Sequence, residues 1–197
     1  MKLLNLPNSI TLSRIAIVPV ILLLAAMETK WSCFFATLFF VVAALSDLVD
    51  GYLARKNNLI TSLGKFLDPL ADKVLVSSVL IMFVELAWVP AWIVIVIICR
   101  DLMVTGLRAV ASDEGVVIAA DKYGKWKTTL QMIALVPLLL HHDWFGLPLI
   151  SLGTMLLYVS LFLTVFSGVN YFVQFFRVLR VNRAQPPEIG PDGLRES

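Results

Sequence analysis

The chain has 197 residues, 59% of them hydrophobic, with a formal net charge of +2 and a mean hydropathy of +0.86. Soluble domains are nearer half apolar, so the composition points away from a soluble fold and towards one compact helical domain within a membrane. The basic residues border apolar runs, which argues against a soluble nuclease or another nucleic-acid-binding role.

Six apolar runs follow in chain order: Ile10–Met27, Trp31–Ala54, Gly64–Leu86, Val89–Val110, Trp126–His142 and Leu147–Phe176. Crossing a ~30 Å hydrocarbon core takes about 20 residues. The runs therefore predict an all-α integral membrane protein with six transmembrane helices, the fifth short and the sixth long. Residues 1–182 form the membrane domain in this reading. The tail, 183–197, carries Pro186-Pro187, Gly190-Pro191 and Gly193 and reads as disordered.

The links are Glu28–Lys30, Arg55–Leu63, Ala87–Trp88, Ala111–Lys125 and Asp143–Gly146. All but Lys30 of the 16 Lys and Arg residues gather on or towards the side that holds both termini. The positive-inside rule makes that side cytoplasmic. The first run is preceded by Lys2 but contains Arg14 and lacks a small-residue cleavage site, so it reads as a span rather than a cleaved signal. Cys33 and Cys99 lack metal-ligand spacing and read as buried small hydrophobes. Trp31, Trp88, Trp92 and Trp144 read as aromatic anchors at the outer ends. His141 and His142 read as the polar end of the fifth span rather than a metal site.

The chemistry-bearing stretch lies across the second and third runs. It reads Asp47-Leu-Val-Asp50-Gly51-Tyr-Leu-Ala54-Arg55, then Gly64-Lys-Phe-Leu-Asp68-Pro-Leu-Ala-Asp72. With Asp47 at zero on a helical wheel, Asp50 falls near about −60°, Gly51 near about +40° and Ala54 near about −20°. Both acids and both small residues share one face, and the small residues leave a notch where a nucleotide can approach the backbone. Asp68 and Asp72 stand one turn apart, with Gly64 a turn earlier. A short link makes the two helices antiparallel neighbours that present four carboxylates to one place. Asp47 is about 12 Å along the helix from Arg55, which puts the site just below the cytoplasmic interface.

Ionisable groups at membrane depth are costly and usually functional. Pairing with bundle Arg or Lys is the plainer explanation of the four acids, but a buried ion pair is a poor source of stability and does not call for the placed glycines. Oxygen-only ligands on paired helices instead suggest Mg2+ or Mn2+ and phosphate chemistry. A small cation transporter would also use intramembrane carboxylates. It would want them near the midplane, however, whereas here all four lie towards one side.

The pattern Asp-x2-Asp-Gly-x2-Ala-Arg-x8-Gly-x3-Asp-x3-Asp, unbroken from Asp47 to Asp72, resembles the signature of the CDP-alcohol phosphotransferase family. The resemblance implies a six-helix membrane enzyme, commonly a homodimer, that holds two metal ions and displaces CMP from a CDP-linked donor by attack of an alcohol hydroxyl. Carried over by position, Asp47, Asp50, Asp68 and Asp72 would hold the metals, and Asp72 would also be the general base. Gly51, Ala54, Arg55 and Gly64, with the first three acids, would shape the nucleotide pocket.

Three other segments extend the resemblance to about residues 5–180: Asn5-Leu-Pro7-Asn8-Ser-Ile-Thr11-Leu-Ser-Arg14, then Arg100-Asp101 through Gly106 and Arg108 to Gly124-Lys125-Trp-Lys127-Thr128, and Ser167-Gly168-x2-Tyr171-Phe172. They resemble the bacterial branch of the family that joins CDP-diacylglycerol to sn-glycerol 3-phosphate. That implies a cytoplasmic (inner) membrane setting, with membrane lipids as surroundings. The dianionic acceptor needs cations. Arg108, Lys122, Lys125 and Lys127 cluster at the expected mouth, with Arg14, Thr11 and Arg100 deeper. The lysines also suit anchoring to anionic lipid, and Thr11 and Arg14 also suit helix capping and interhelical pairing. Asp101 reads as a local partner of Arg100. Other acceptors of the same family, phosphatidylglycerol, inositol phosphate and serine, are the alternatives.

Overall fold

The structure, a computed structural model, describes residues 6–56, 62–113, 122–144 and 146–184, with side chains described for 11–46, 70–111, 128–144 and 146–177. The described residues form six helices: α1 (Leu6–Ala26), α2 (Lys30–Lys56), α3 (Ser62–Glu85), α4 (Ala91–Asp113), α5 (Lys122–Leu140) and α6 (Leu149–Ala184). Among them there is no β-strand, and Trp144 and Leu147 make one isolated bridge.

Helix boundaries depart from the apolar runs where helical propensity and hydropathy part company. α5 begins at Lys122, inside the segment expected to be a link, because Lys122 and Lys125 sustain a helix without being apolar. Lys122 and Lys125 therefore ride on the first turns of α5. α6 likewise carries Arg177, Arg180 and Arg183 beyond its apolar run and takes up the first two residues of the expected tail; residues 185–197 lie outside the described residues.

The helix ends at the other side of the bundle are tightly closed. α2 opens with a capping box: Thr29 Oγ1 accepts from the Ser32 amide at 3.2 Å, and Ser32 Oγ accepts from the Thr29 amide at 3.1 Å. α3 ends with Ala87 in the left-handed region (φ 56°), where the Trp88 amide donates to the Phe83 carbonyl at 2.8 Å. His141 (φ 50°) closes α5 in the same conformation. Its ring stacks on Trp88 with centroids 3.7 Å apart, and His142 Nε2 lies 3.0 Å from the Glu28 carbonyl. Trp31 meets Trp144 edge to face, and Lys30 Nζ sits 4.6 Å above the Trp144 ring. The aromatic residues thus bind three interhelical turns to one another.

α1 packs on α2 and α3, and α6 packs on α4 and α5. The two groups join through α2 with α5 and α3 with α4 and α5. The core is filled by Ile21, Phe40, Leu75, Leu80, Phe83, Ile93, Ile97, Leu135, Leu138 and Leu157, all nearly inaccessible. The outward faces are apolar too, as Leu23, Ile81, Ile95, Met103, Met155 and Phe162 show. Cys33 is buried as expected, but Cys99 is exposed on α4, a correction to the reading of both as buried. Among the described residues one helical stretch, Leu149–Arg177, is long and apolar enough to cross a bilayer on its own; Thr11–Ala26, Lys30–Ser46 and Thr128–Leu140 are shorter apolar segments.

α5 and α6 approach closely at Gly153. A Cβ there would lie 2.7 Å from Leu138 Cγ and 3.0 Å from the Leu138 backbone nitrogen. Gly153→Val is expected to lower the melting temperature in detergent, because overpacking costs about 1–3 kcal/mol and exceeds the helix-propensity gain of under ~1 kcal/mol. Gly106, with nothing within 4 Å of its Cβ position, is the control: Gly106→Ala should leave the melting temperature unchanged or raised. Equal melting temperatures for Gly153→Val and the native chain would contradict this packing.

Candidate active site

Asp72 is half-buried on α3, about 24 Å along the helix from the aromatic cluster at Trp88. It borders a cavity of about 30 Å³ enclosed by α3, α4 and α5. Lys73, Ser77, Asp101, Thr128 and Gln131 supply the other polar lining, and Val76, Leu80, Ile97 and Ile98 the apolar part. That volume suits one or two water molecules with several polar partners. The carboxylate expected to act as a base is therefore on the edge of a small cavity of mixed polar and apolar lining inside an apolar bundle.

Asp47 and Asp50 lie on α2, Asp68 on α3 with Asp72, and α2 and α3 touch each other and α1. The side chains of Asp47, Asp50, Gly51, Ala54, Arg55, Gly64 and Asp68 lie outside the described residues, as do those of Lys122, Lys125 and Lys127. Among the described residues no three His, Cys, Asp or Glu side chains form a metal cluster. The donor set on the two touching helices is acidic and oxygen-only, which suits a hard divalent cation.

α4 carries two of the expected acceptor residues. Arg108 is exposed, with its guanidinium 5.5 Å from the centre of the Tyr171 ring on α6. Arg100 is held sideways. Its Nη1 pairs with Asp101 Oδ1 at 3.2 Å and its Nη2 donates to Ser167 Oγ at 2.6 Å. Asp101 is thus the local partner of Arg100 that its position suggested. Gly168 makes room for this arginine: a Cβ there would stand 3.0 Å from Arg100 Cγ. Thr11 and Arg14 are fully buried on α1. Thr11 lies in the second turn of that helix, so it is not its N-cap.

Lys73 was not singled out from the sequence. Its Nζ donates to Thr105 Oγ1 and reaches the Asp101 carbonyl at 3.5 Å. A cation directly after Asp72 within an apolar run was the available signal. Gln131, buried on α5 one turn after Thr128, was also missed, because a lone amide in an apolar run carries no spacing signal.

Residues 4–166 match the model of the CDP-alcohol phosphatidyltransferase family. The chain is 44% identical over 190 residues to a protein of Bacillus subtilis (strain 168) named CDP-diacylglycerol--glycerol-3-phosphate 3-phosphatidyltransferase; the match covers 90% of this chain and 98% of the relative. A protein of the same name from Rickettsia bellii (strain RML369-C) is 40% identical over 169 residues, covering 85% of this chain and 93% of its own length. A cardiolipin synthase (CMP-forming) of Oryza sativa subsp. japonica is 37% identical over 196 residues, covering 90% of this chain and 59% of that protein.

Proposed function

This chain belongs to the CDP-alcohol phosphatidyltransferase family, and from that premise we propose that it transfers a phosphatidyl group from CDP-diacylglycerol to the 1-hydroxyl of sn-glycerol 3-phosphate, releasing CMP and leaving phosphatidylglycerophosphate. The observation that carries this reading is the match, over nearly the full length of both chains, to relatives whose names state that reaction.

Asp72 takes the proton of the acceptor's 1-hydroxyl. The resulting alkoxide oxygen attacks the diacylglycerol-bearing phosphorus. The bond from that phosphorus to the oxygen bridging it to CMP breaks, and CMP leaves with the electron pair. Asp47, Asp50, Asp68 and Asp72 would hold Mg2+ or Mn2+, two ions per site. Such ions, when bound, supply charge neutralisation on the pyrophosphate and the departing phosphate. Gly51, Ala54, Arg55 and Gly64 shape the nucleotide pocket. Arg108, Lys122, Lys125 and Lys127 attract the acceptor phosphate, with Arg14, Thr11 and Arg100 supporting from deeper positions. The ties of Arg100 to Asp101 and Ser167 favour a supporting role for it.

All six helices span the membrane in this reading, with both termini and Asp72 on the cytoplasmic side of a bacterial inner membrane. Residues 1–182 are the catalytic domain, and the working unit is a homodimer. The apolar outward faces and the bias of Lys and Arg towards one side support the topology. A second reading keeps the donor and changes the acceptor to phosphatidylglycerol; the match to a cardiolipin synthase favours it over other siblings.

The deciding experiment measures CMP release by the purified protein with CDP-diacylglycerol and Mg2+ or Mn2+. It compares sn-glycerol 3-phosphate with glycerol, serine, inositol phosphate and phosphatidylglycerol. Release that depends on glycerol 3-phosphate is the expected result. Release with another acceptor alone would keep the family and change the substrate.

A further inference from the structure

α3 carries Asp72, and α4 carries Arg108. The distance between a base and the site that holds the acceptor's phosphate decides whether the acceptor hydroxyl meets the base. Among the described residues α3 packs far more extensively on α1 than on α4, and few contacts fix α3 against α4. One of them is polar and specific. Lys73 Nζ donates to Thr105 Oγ1 and reaches the Asp101 carbonyl at 3.5 Å.

The hydrogen-bond roles are mutually consistent. Thr105 gives its own hydroxyl proton to the Asp101 carbonyl at 2.7 Å, which leaves its oxygen lone pairs to accept from Lys73. The carbonyl of Asp101 faces both donors. The carboxylate of Asp101 pairs with Arg100 Nη1 at 3.2 Å, and Arg100 Nη2 reaches Ser167 Oγ on α6 at 2.6 Å. The connection therefore runs without a gap from the residue after Asp72, through α4, to α6. Arg108 stands one turn beyond Thr105, about 4.5 Å further along α4, and is itself steadied over Tyr171 of α6. Asp72, Lys73 and Asp101 also line the same small cavity.

We infer that Lys73 is a positioning residue, a clamp on Thr105 and the Asp101 carbonyl that sets the register of α3 against α4 and so the spacing between Asp72 and the acceptor-phosphate residues of α4. The inference rests on the transfer reading above. It assigns Lys73 no contact with either substrate, so its loss should reduce turnover rather than substrate binding.

The test measures CMP release as a function of sn-glycerol 3-phosphate concentration for the native chain, Lys73→Met, Lys73→Arg, Thr105→Val and the Lys73→Met/Thr105→Val double variant, each per folded protein. Lys73→Met keeps the stem and removes the donor. Misplacement by about 1 Å can cost about 100-fold, so kcat should fall between about 10-fold and 100-fold, with the KM for sn-glycerol 3-phosphate within about twofold. Thr105→Val, at an exposed position, should lower kcat in the same way. The double variant should be no worse than Lys73→Met, because both changes break one connection. Lys73→Arg, which keeps a donor, should recover part of the rate.

A raised KM for glycerol 3-phosphate at native kcat would overturn the inference, by making Lys73 a direct ligand of the acceptor. So would losses that multiply in the double variant, or a lowered melting temperature with unchanged turnover per folded protein. Should Lys73→Met fail to fold, native turnover by Thr105→Val would overturn it. A native chain that turns over while Lys73→Met matches it removes the clamp alone. A native chain inactive with every acceptor removes the transfer reading and the clamp with it.

Discussion

Asp72→Asn is expected to leave CMP release at or below about a thousandth of the native rate, from protein that is still folded. The substitution keeps the size of the side chain and removes its basicity. A positioned base contributes about 10²–10⁴-fold, and the same carboxylate is proposed to hold metal, so the loss should fall in the upper part of that range. Asp72 is half-buried beside a cavity lined by both polar and apolar residues, so an amide is accommodated without a large packing penalty. The measurement is single-turnover CMP release in mixed micelles, beside a thermal melt that shows the variant folded. A folded Asp72→Asn protein with a tenth or more of native activity would remove Asp72 from the role of base.

Withdrawing divalent cations should have an effect of similar size. In the proposed site four carboxylates on two touching helices would repel one another, and an apolar bundle offers little solvent to screen them. Cations relieve that repulsion and, during transfer, the charge gathering on the departing phosphate. EDTA should bring CMP release to background, and Mg2+ or Mn2+ should restore it. Ca2+, with longer bonds and a larger, looser coordination shell, should restore it poorly. The melting temperature should also rise on adding Mg2+ to the stripped protein, because binding to the folded state stabilises it. Full activity in the presence of EDTA would remove metal from the mechanism.

The helices were legible because six apolar runs separated by short polar links leave few alternatives. Their ends were less so. Hydropathy marks where a chain prefers lipid, whereas helix propensity continues through Lys122, Lys125 and Arg180. The sidedness of each helix was not legible. In a chain apolar on both its core and its outer faces, periodicity carries little contrast, which is why Cys33 and Cys99 read alike although one is buried and the other exposed. The outer-end tryptophans were found by type, but the stacking of Trp88 on His141 needed the left-handed closures at Ala87 and His141.

The acidic pattern is a local property. Helix geometry places Asp47 with Asp50, and Asp68 with Asp72, on common faces from spacing alone, and the length of the pattern was enough to mark the family. The pairing of Arg100 with its neighbour Asp101 was equally accessible, since adjacent residues need no fold to meet. The reach of Arg100 to Ser167, the seating of Arg108 over Tyr171 and the hold of Lys73 on Thr105 join residues 67, 63 and 32 positions apart. Such distances are closed by the packing of α3 and α6 on α4, which depends on the summed burial of many side chains and on no single motif. The residues proposed to carry the chemistry are therefore readable along the chain, and the residues proposed to hold them at working distance emerge from the packed bundle.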